Sequence, residues 1–178
     1  MMLYKNLVFG ASGIIGSEFI NKLNIKDSLF TSRKKPITDK KINWQKLDLD
    51  KSDLKKLPKN VKTIFFFASP HYTDKNLKIK NCFKKELIWV KKIIKNINCE
   101  KFVFTSSSSV YSDKHQIGVY KKKIEKNLSL SKIKFIQIWR PFSLIGFNNH
   151  VLSDHFHNVL IKNIIKKKKE TNYLQWKY

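Results

Sequence analysis

Apolar and polar positions change period several times along the chain, and each change marks an element. Residues 3–9 form a short apolar run that stops at Gly10, as a buried parallel strand does. Ile15, Phe19 and Leu23 then recur at helical spacing, predicting a helix over 14–23. Residues 28–32 and 44–49 read as further short strands, and Asp50 with Asp53 opens a short helix reaching Leu57, closed by Pro58 and Asn60. Residues 63–68 are almost wholly apolar, the signature of a central strand covered on both faces. Phe83, Leu87, Val90, Ile94 and Ile97 mark one face of a long amphipathic helix. A strand over 101–105, a helix over 118–128 and a strand over 135–139 follow. A last helix is expected over 153–168, with Phe156, Leu160 and Ile164 inward.

Strands alternating with helices through short connections specify an α/β fold built on a doubly wound parallel sheet. The 178 residues suit one such domain: residues 1–146 as the nucleotide-binding part and 147–178 as a helical remnant of a substrate-side region, with little or no separate C-terminal domain. No apolar stretch approaches about 18 residues, and the chain enters its first strand without a signal pattern, so a cytoplasmic protein without a membrane span is expected.

Composition changes this picture little. The net charge is +24, yet of the 37 basic residues only Arg33 and Arg140 are arginine. Lysines spread along the chain, without the guanidinium groups that read base edges, do not make a nucleic-acid surface, although a polyanion would feel their attraction. Cys82 and Cys99 are the only cysteines. Seventeen positions along one helix would separate them by roughly 25 Å, too far to bridge, so both are read as reduced. No His or Cys spacing suits a metal.

The candidate chemistry begins at Gly10-Ala11-Ser12-Gly13-Ile14-Ile15-Gly16, where a strand meets a helix. Gly10 permits a tight turn, Gly13 a close backbone approach to a pyrophosphate, and Gly16 close helix packing. The helix N-terminus beneath would favour the phosphates. Further pieces follow in order: Leu47-Asp48-Leu49, Phe67-Ala68-Ser69, Asn81, the run from Phe102 through Ser106-Ser107-Ser108-Ser109 to Tyr111, and Arg140-Pro141-Phe142-Ser143 with Gly146. Together these resemble the extended short-chain dehydrogenase/reductase family, the nucleotide-sugar epimerases and dehydratases.

The resemblance implies a Rossmann fold and a nicotinamide dinucleotide. It implies that Asp48 and Leu49 meet the adenine ring, that Phe67, Ala68 and Ser69 lie over the cofactor, and that Pro141, Phe142 and Ser143 line it. Where the second strand ends, NAD-preferring domains carry an acid; here stand Ser32, Arg33 and Lys34, which would pair with a 2′-phosphate. NADP(H) is therefore expected over NAD(H). A small-molecule substrate, such as a nucleotide-sugar, and a homodimer through the helices near 83–97 and 118–128 are implied by resemblance alone.

In such proteins a Ser, a Tyr and a Lys act together in proton transfer. The Ser role falls on Ser107 and the Lys role, including the nicotinamide ribose, on Lys121. Gly118, Lys121 and Glu125 match the helix element, but Ile117 occupies the tyrosine position. Tyr120 is the nearby tyrosine, one residue from Lys121 and so on a different helix face. The resemblance implies an NAD(P)-dependent epimerase, dehydratase or reductase passing hydride to or from a nucleotide-sugar or related carbonyl or hydroxyl substrate, with Tyr120 paired with Lys123 at i+3 as proton donor; the alternative is a domain that binds cofactor without the usual chemistry, as a redox sensor or a subunit of a complex. His71, two residues beyond Ser69, is a further candidate for the nicotinamide pocket, read more readily as a solvated loop histidine.

Overall fold

A computed structural model describes residues 4–22, 26–52, 54–70, 79–112 and 116–142. They belong to one compact unit, Met1–Phe142. The second unit, Ser143–Tyr178, lies outside the described residues, and with it Ser143, Gly146 and the helix expected over 153–168. His71 lies outside them too.

Six strands form one sheet: β1 (Asn6–Phe9), β2 (Ser28–Ser32), β3 (Asn43–Lys46), β4 (Asn60–Phe66), β5 (Asn98–Thr105) and β6 (Phe135–Trp139). Their order is β3-β2-β1-β4-β5-β6 and every pairing is parallel, as the alternation of elements requires. Helices α1 (Ile14–Lys22), α2 (Ile79–Asn96) and α3 (Gln116–Ser129) connect them.

Side chains of β1 alternate between two cores, because strand residues point to opposite faces. Leu7 and Phe9 join Ile64, Phe66, Phe102 and Phe104 against Val90, Ile93, Ile124 and Leu128 of α2 and α3. Val8 joins Ile20, Phe30 and Phe67 on the α1 side, where Phe19 and Trp139 complete the cluster.

Several boundaries differ from the sequence reading. The third strand is shorter than 44–49, ending at Lys46. Past it the Asp48 carbonyl accepts from the Lys51 and Ser52 amides, turning the chain. The short helix after it is a single 3₁₀ turn, Leu54–Lys56. Asn60 opens β4 instead of closing a helix, since its neighbour Lys62 already bonds to the Lys5 carbonyl.

On α2 the expected apolar face holds: Val90 is buried and Leu87 and Ile94 pack, partly buried, against the core, while Cys82, Glu86 and Ile93 are buried with them. A carboxylate, Glu86, therefore shares the inward face of α2 with apolar side chains and meets Lys121 of α3. Neither cysteine is in a disulfide: Cys82 lies on α2 and Cys99 on β5, where burial pushes the Cys99 thiol up to about 11.

Candidate functional site

The strand order reverses between β1 and β4, and a crevice at the carboxyl ends of strands opens where order reverses. Gly10 stands at that place. Its φ is +83°, and a Cβ there would lie 2.5 Å from the Ala68 amide nitrogen, so the turn out of β1 passes directly against the end of β4. The Gly10 and Ala11 amides both donate to the Thr31 carbonyl at the end of β2, at 2.9 and 3.1 Å. The loop is therefore fixed by strands on both sides.

Gly16 packs on this turn, since a Cβ would overlap the Gly10 carbonyl oxygen. At Gly13 a Cβ would meet only that same oxygen, at 3.3 Å, and otherwise open space. The first-turn amides of Ile14, Ile15 and Gly16 have no partner within their helix by the geometry of helix starts. Exposed Gly13 beside these amides is a cradle that any side chain at 13 would fill, and it fits an anionic pyrophosphate.

Other residues singled out by sequence divide into exposed ones and ones bonded or packed within the fold. Arg33 and Lys34 are exposed just past β2. Ser32 is buried, and its hydroxyl donates to the Lys34 carbonyl at 2.6 Å while accepting from the Trp44 indole at 3.0 Å. It shapes the loop that displays the two cations. The Asp48 carboxylate accepts from the Asp50 amide, and Leu49 packs on the core. Phe67 is interior, stacked on Trp139 at 5.7 Å and edge-on to Phe19. Ala68 is half-buried and Ser69 exposed.

Beyond β5 the serine run forms a 3₁₀ turn, Ser108–Tyr111, capped by Ser107. The Ser107 hydroxyl accepts from the Ser109 amide and donates to the Ser109 hydroxyl, both at 3.1 Å. Helix α3 lies hard against this turn at Gly118. The Pro141 carbonyl accepts from the Ser108 amide, and Phe142, almost fully exposed, stacks on Tyr111.

Glu125 joins these pieces. It accepts from the Ser106 hydroxyl at 2.6 Å and from two nitrogens of Arg140 at 3.1 and 2.7 Å. Partial burial pushes its carboxyl up, but the bonds from Arg140 and Ser106 outweigh this and hold it below the ordinary carboxylate range. Arg140 also donates to the Tyr111 hydroxyl. An open depression of about 400 Å³ lies among Val110, Tyr111, Lys122, Glu125 and Arg140.

Of the three candidate catalytic residues, Ser107 caps the serine turn and Tyr120 and Lys121 lie on α3. Lys121 is buried: its ammonium donates to Glu86 at 2.6 Å and to the Thr105 carbonyl at 2.9 Å, and lies over the Phe104 ring. Tyr120 is half-buried, with the Lys123 ammonium 5.1 Å from its ring centroid. Ile117 stands one turn before Lys121, at the position the sequence register gave it. Glu86 was missed by the sequence reading. The available signal was its spacing, four residues after Cys82 and four before Val90, on what proves to be the buried stripe. Among the described residues no cluster of three or more His, Cys, Asp or Glu could hold a metal.

A parallel sheet in this order with a glycine turn at its reversal defines a Rossmann-type domain. The chain belongs to the NAD-dependent epimerase/dehydratase family, whose sequence profile matches residues 6–132. Similar solved structures include UDP-glucuronic acid 4-epimerase from Bacillus cereus in complex with UDP-glucuronic acid and NAD, at 19% identity and TM-score 0.68 over 90% of this chain and 63% of that one. MoeE5, in complex with UDP-glucuronic acid and NAD, is 20% identical with TM-score 0.65, over 89% of this chain and 60% of that one. UDP-N-acetylglucosamine 4-epimerase from Bacillus cereus is 22% identical with TM-score 0.61, over 82% and 55%. The chain thus spans less than two thirds of the length of each. No curated protein sequence matches it. Among the described residues no helix is long and apolar enough to cross a membrane.

Proposed function

We propose that this domain binds a nicotinamide dinucleotide over the Gly10–Gly16 loop, NADP(H) in preference to NAD(H), and holds it without tyrosine-led proton transfer. Such a protein acts as a redox sensor or as a subunit of a complex. The observation that carries this reading is the pair Ile117 and Lys121. Isoleucine has no proton to give, and the Lys121 ammonium is already bound to Glu86 and the Thr105 carbonyl.

Support for the cofactor comes from the open cradle at Gly13 and from family membership. Support for the 2′-phosphate comes from exposed Arg33 and Lys34, with no acid beside them at the end of β2. The cofactor, when bound, supplies a hydride donor or acceptor. Isothermal titration with NADPH and NADH at moderate salt tests the proposal. Tighter binding of NADPH is expected; failure of both to bind would overturn it.

A second reading is an epimerase, dehydratase or reductase acting on a nucleotide-sugar by hydride transfer, the substrate class of the similar epimerases. The Ser107 hydroxyl, half-buried where the chain leaves β5, supports this reading as the group to hold a substrate oxygen. Tyr120 would then supply the proton. Turnover of a nucleotide-sugar that survives Ser107→Ala would remove that role from Ser107, and turnover that survives Tyr120→Phe would remove the proton from Tyr120.

A further inference from the structure

We propose that Glu86 competes with the bound cofactor for the Lys121 ammonium, and so sets how tightly the nicotinamide half is held. This rests on the reading of the crevice as a nicotinamide-dinucleotide site. Lys121 springs from α3 and reaches the carboxyl end of β5, where the Thr105 carbonyl accepts from it at 2.9 Å. That is the rim on which Ser107 stands. From there the ammonium is drawn toward α2, 2.6 Å from Glu86, with both side chains sealed at 6% and 1% exposure.

The pairing is incomplete in a telling way. Glu86 Oε2 and Thr105 Oγ1 are both buried without a hydrogen-bond partner. A buried carboxylate with one oxygen unsatisfied carries a large desolvation penalty, and burial pushes the Glu86 carboxyl above its ordinary range despite the lysine. An ammonium has three donors, and two are used here. Glu86 is therefore a positioning residue that retains Lys121 against the core, while a ribose at the end of β5 would offer the same donors hydroxyl acceptors.

The test is the affinity of Glu86→Gln for NADPH and for 2′,5′-ADP, which lacks the nicotinamide ribose. Neutralising Glu86 is expected to tighten NADPH by about tenfold, the scale of one charge-assisted hydrogen bond. Binding of 2′,5′-ADP should not change, and the gain should vanish in Glu86→Gln/Lys121→Met. Equal gain for both ligands, no gain in a folded variant, or a gain that persists without Lys121 would overturn the proposal. If wild type binds neither ligand and the variant binds neither, the cofactor reading fails with it. If wild type binds NADPH but the variant gains nothing, only the role of Glu86 fails.

Should Glu86→Gln not fold, amine acylation of the wild type read by mass spectrometry decides. Lys121 is expected to label far more slowly than exposed Lys122 and Lys123 without any cofactor. Labelling at their rate, with protection by NADPH, would mean the ammonium already stands in the crevice and would overturn the proposal.

Discussion

Gly118 of α3 lies beneath the Ser109 carbonyl so closely that a Cβ there would overlap its oxygen and crowd the Ser112 carbonyl at 3.1 Å. The serine turn and the helix carrying Lys121 and Glu125 are thereby packed backbone to backbone. Gly118→Ala must push them apart. A loss of about 2 kcal/mol or more is expected from such overpacking, read as a lower urea midpoint with unchanged slope.

Gly10→Ala meets two obstacles at once. A side chain at φ +83° is strained, and its Cβ would press on the backbone of Phe67 and Ala68. The variant should lose about 2 kcal/mol in urea unfolding and bind neither NADPH nor NADH measurably by titration. Undiminished binding would remove the loop from the cofactor site.

The buried pair Glu86 and Lys121 predicts a non-additive mutant cycle. Removing one partner strands the other charge in the core and should cost about 3–5 kcal/mol, as Lys121→Met alone. Glu86→Leu/Lys121→Met removes both charges and should recover most of that loss. Denaturation of the singles and the double gives the coupling directly, and additive losses would contradict the ion pair.

Acid stability follows from Glu125. Its folded pKa lies below the ordinary 4.5 of an unfolded glutamate. A group depressed in this way stabilises the fold above its unfolded value, and that contribution is lost as pH falls through the folded one. Stability should therefore decline on acidification below about pH 4.5. Arg140→Met, lacking the two-pronged clamp, should show a flatter decline in urea melts across that range.

Cofactor choice can be read in Arg33→Ala/Lys34→Ala. Both side chains are exposed, so the fold should be unaffected, while affinity for NADPH drops about tenfold and NADH is little changed. Equal loss for both dinucleotides would trace the effect to general positive charge, and raising the salt would then erase it.

The order of strands and helices was legible in the chain because it depends on local periodicity and on where glycine interrupts it. The apolar run over 63–68 announced the central strand, which ends at Phe66, and the glycines from Gly10 to Gly16 announced the turn from strand to helix. Boundaries were less legible, since β4 begins at Asn60 by pairing with β5, a partner 38 residues away. The directions of polar side chains were not legible. Helical periodicity puts Leu87 and Ile94 inward on α2, where they pack on the core, but it gives no sign that folding brings Lys121 opposite Glu86, 35 residues distant. Ser32, a phosphate-ligand candidate by sequence, also accepts from Trp44, which only the pairing of β3 with β2 brings within reach. Sequence alone determined the backbone plan, which is set by neighbours along the chain. Only the tertiary structure decided which donors and acceptors remain for a ligand, because a buried polar group bonds to whatever the fold places within reach.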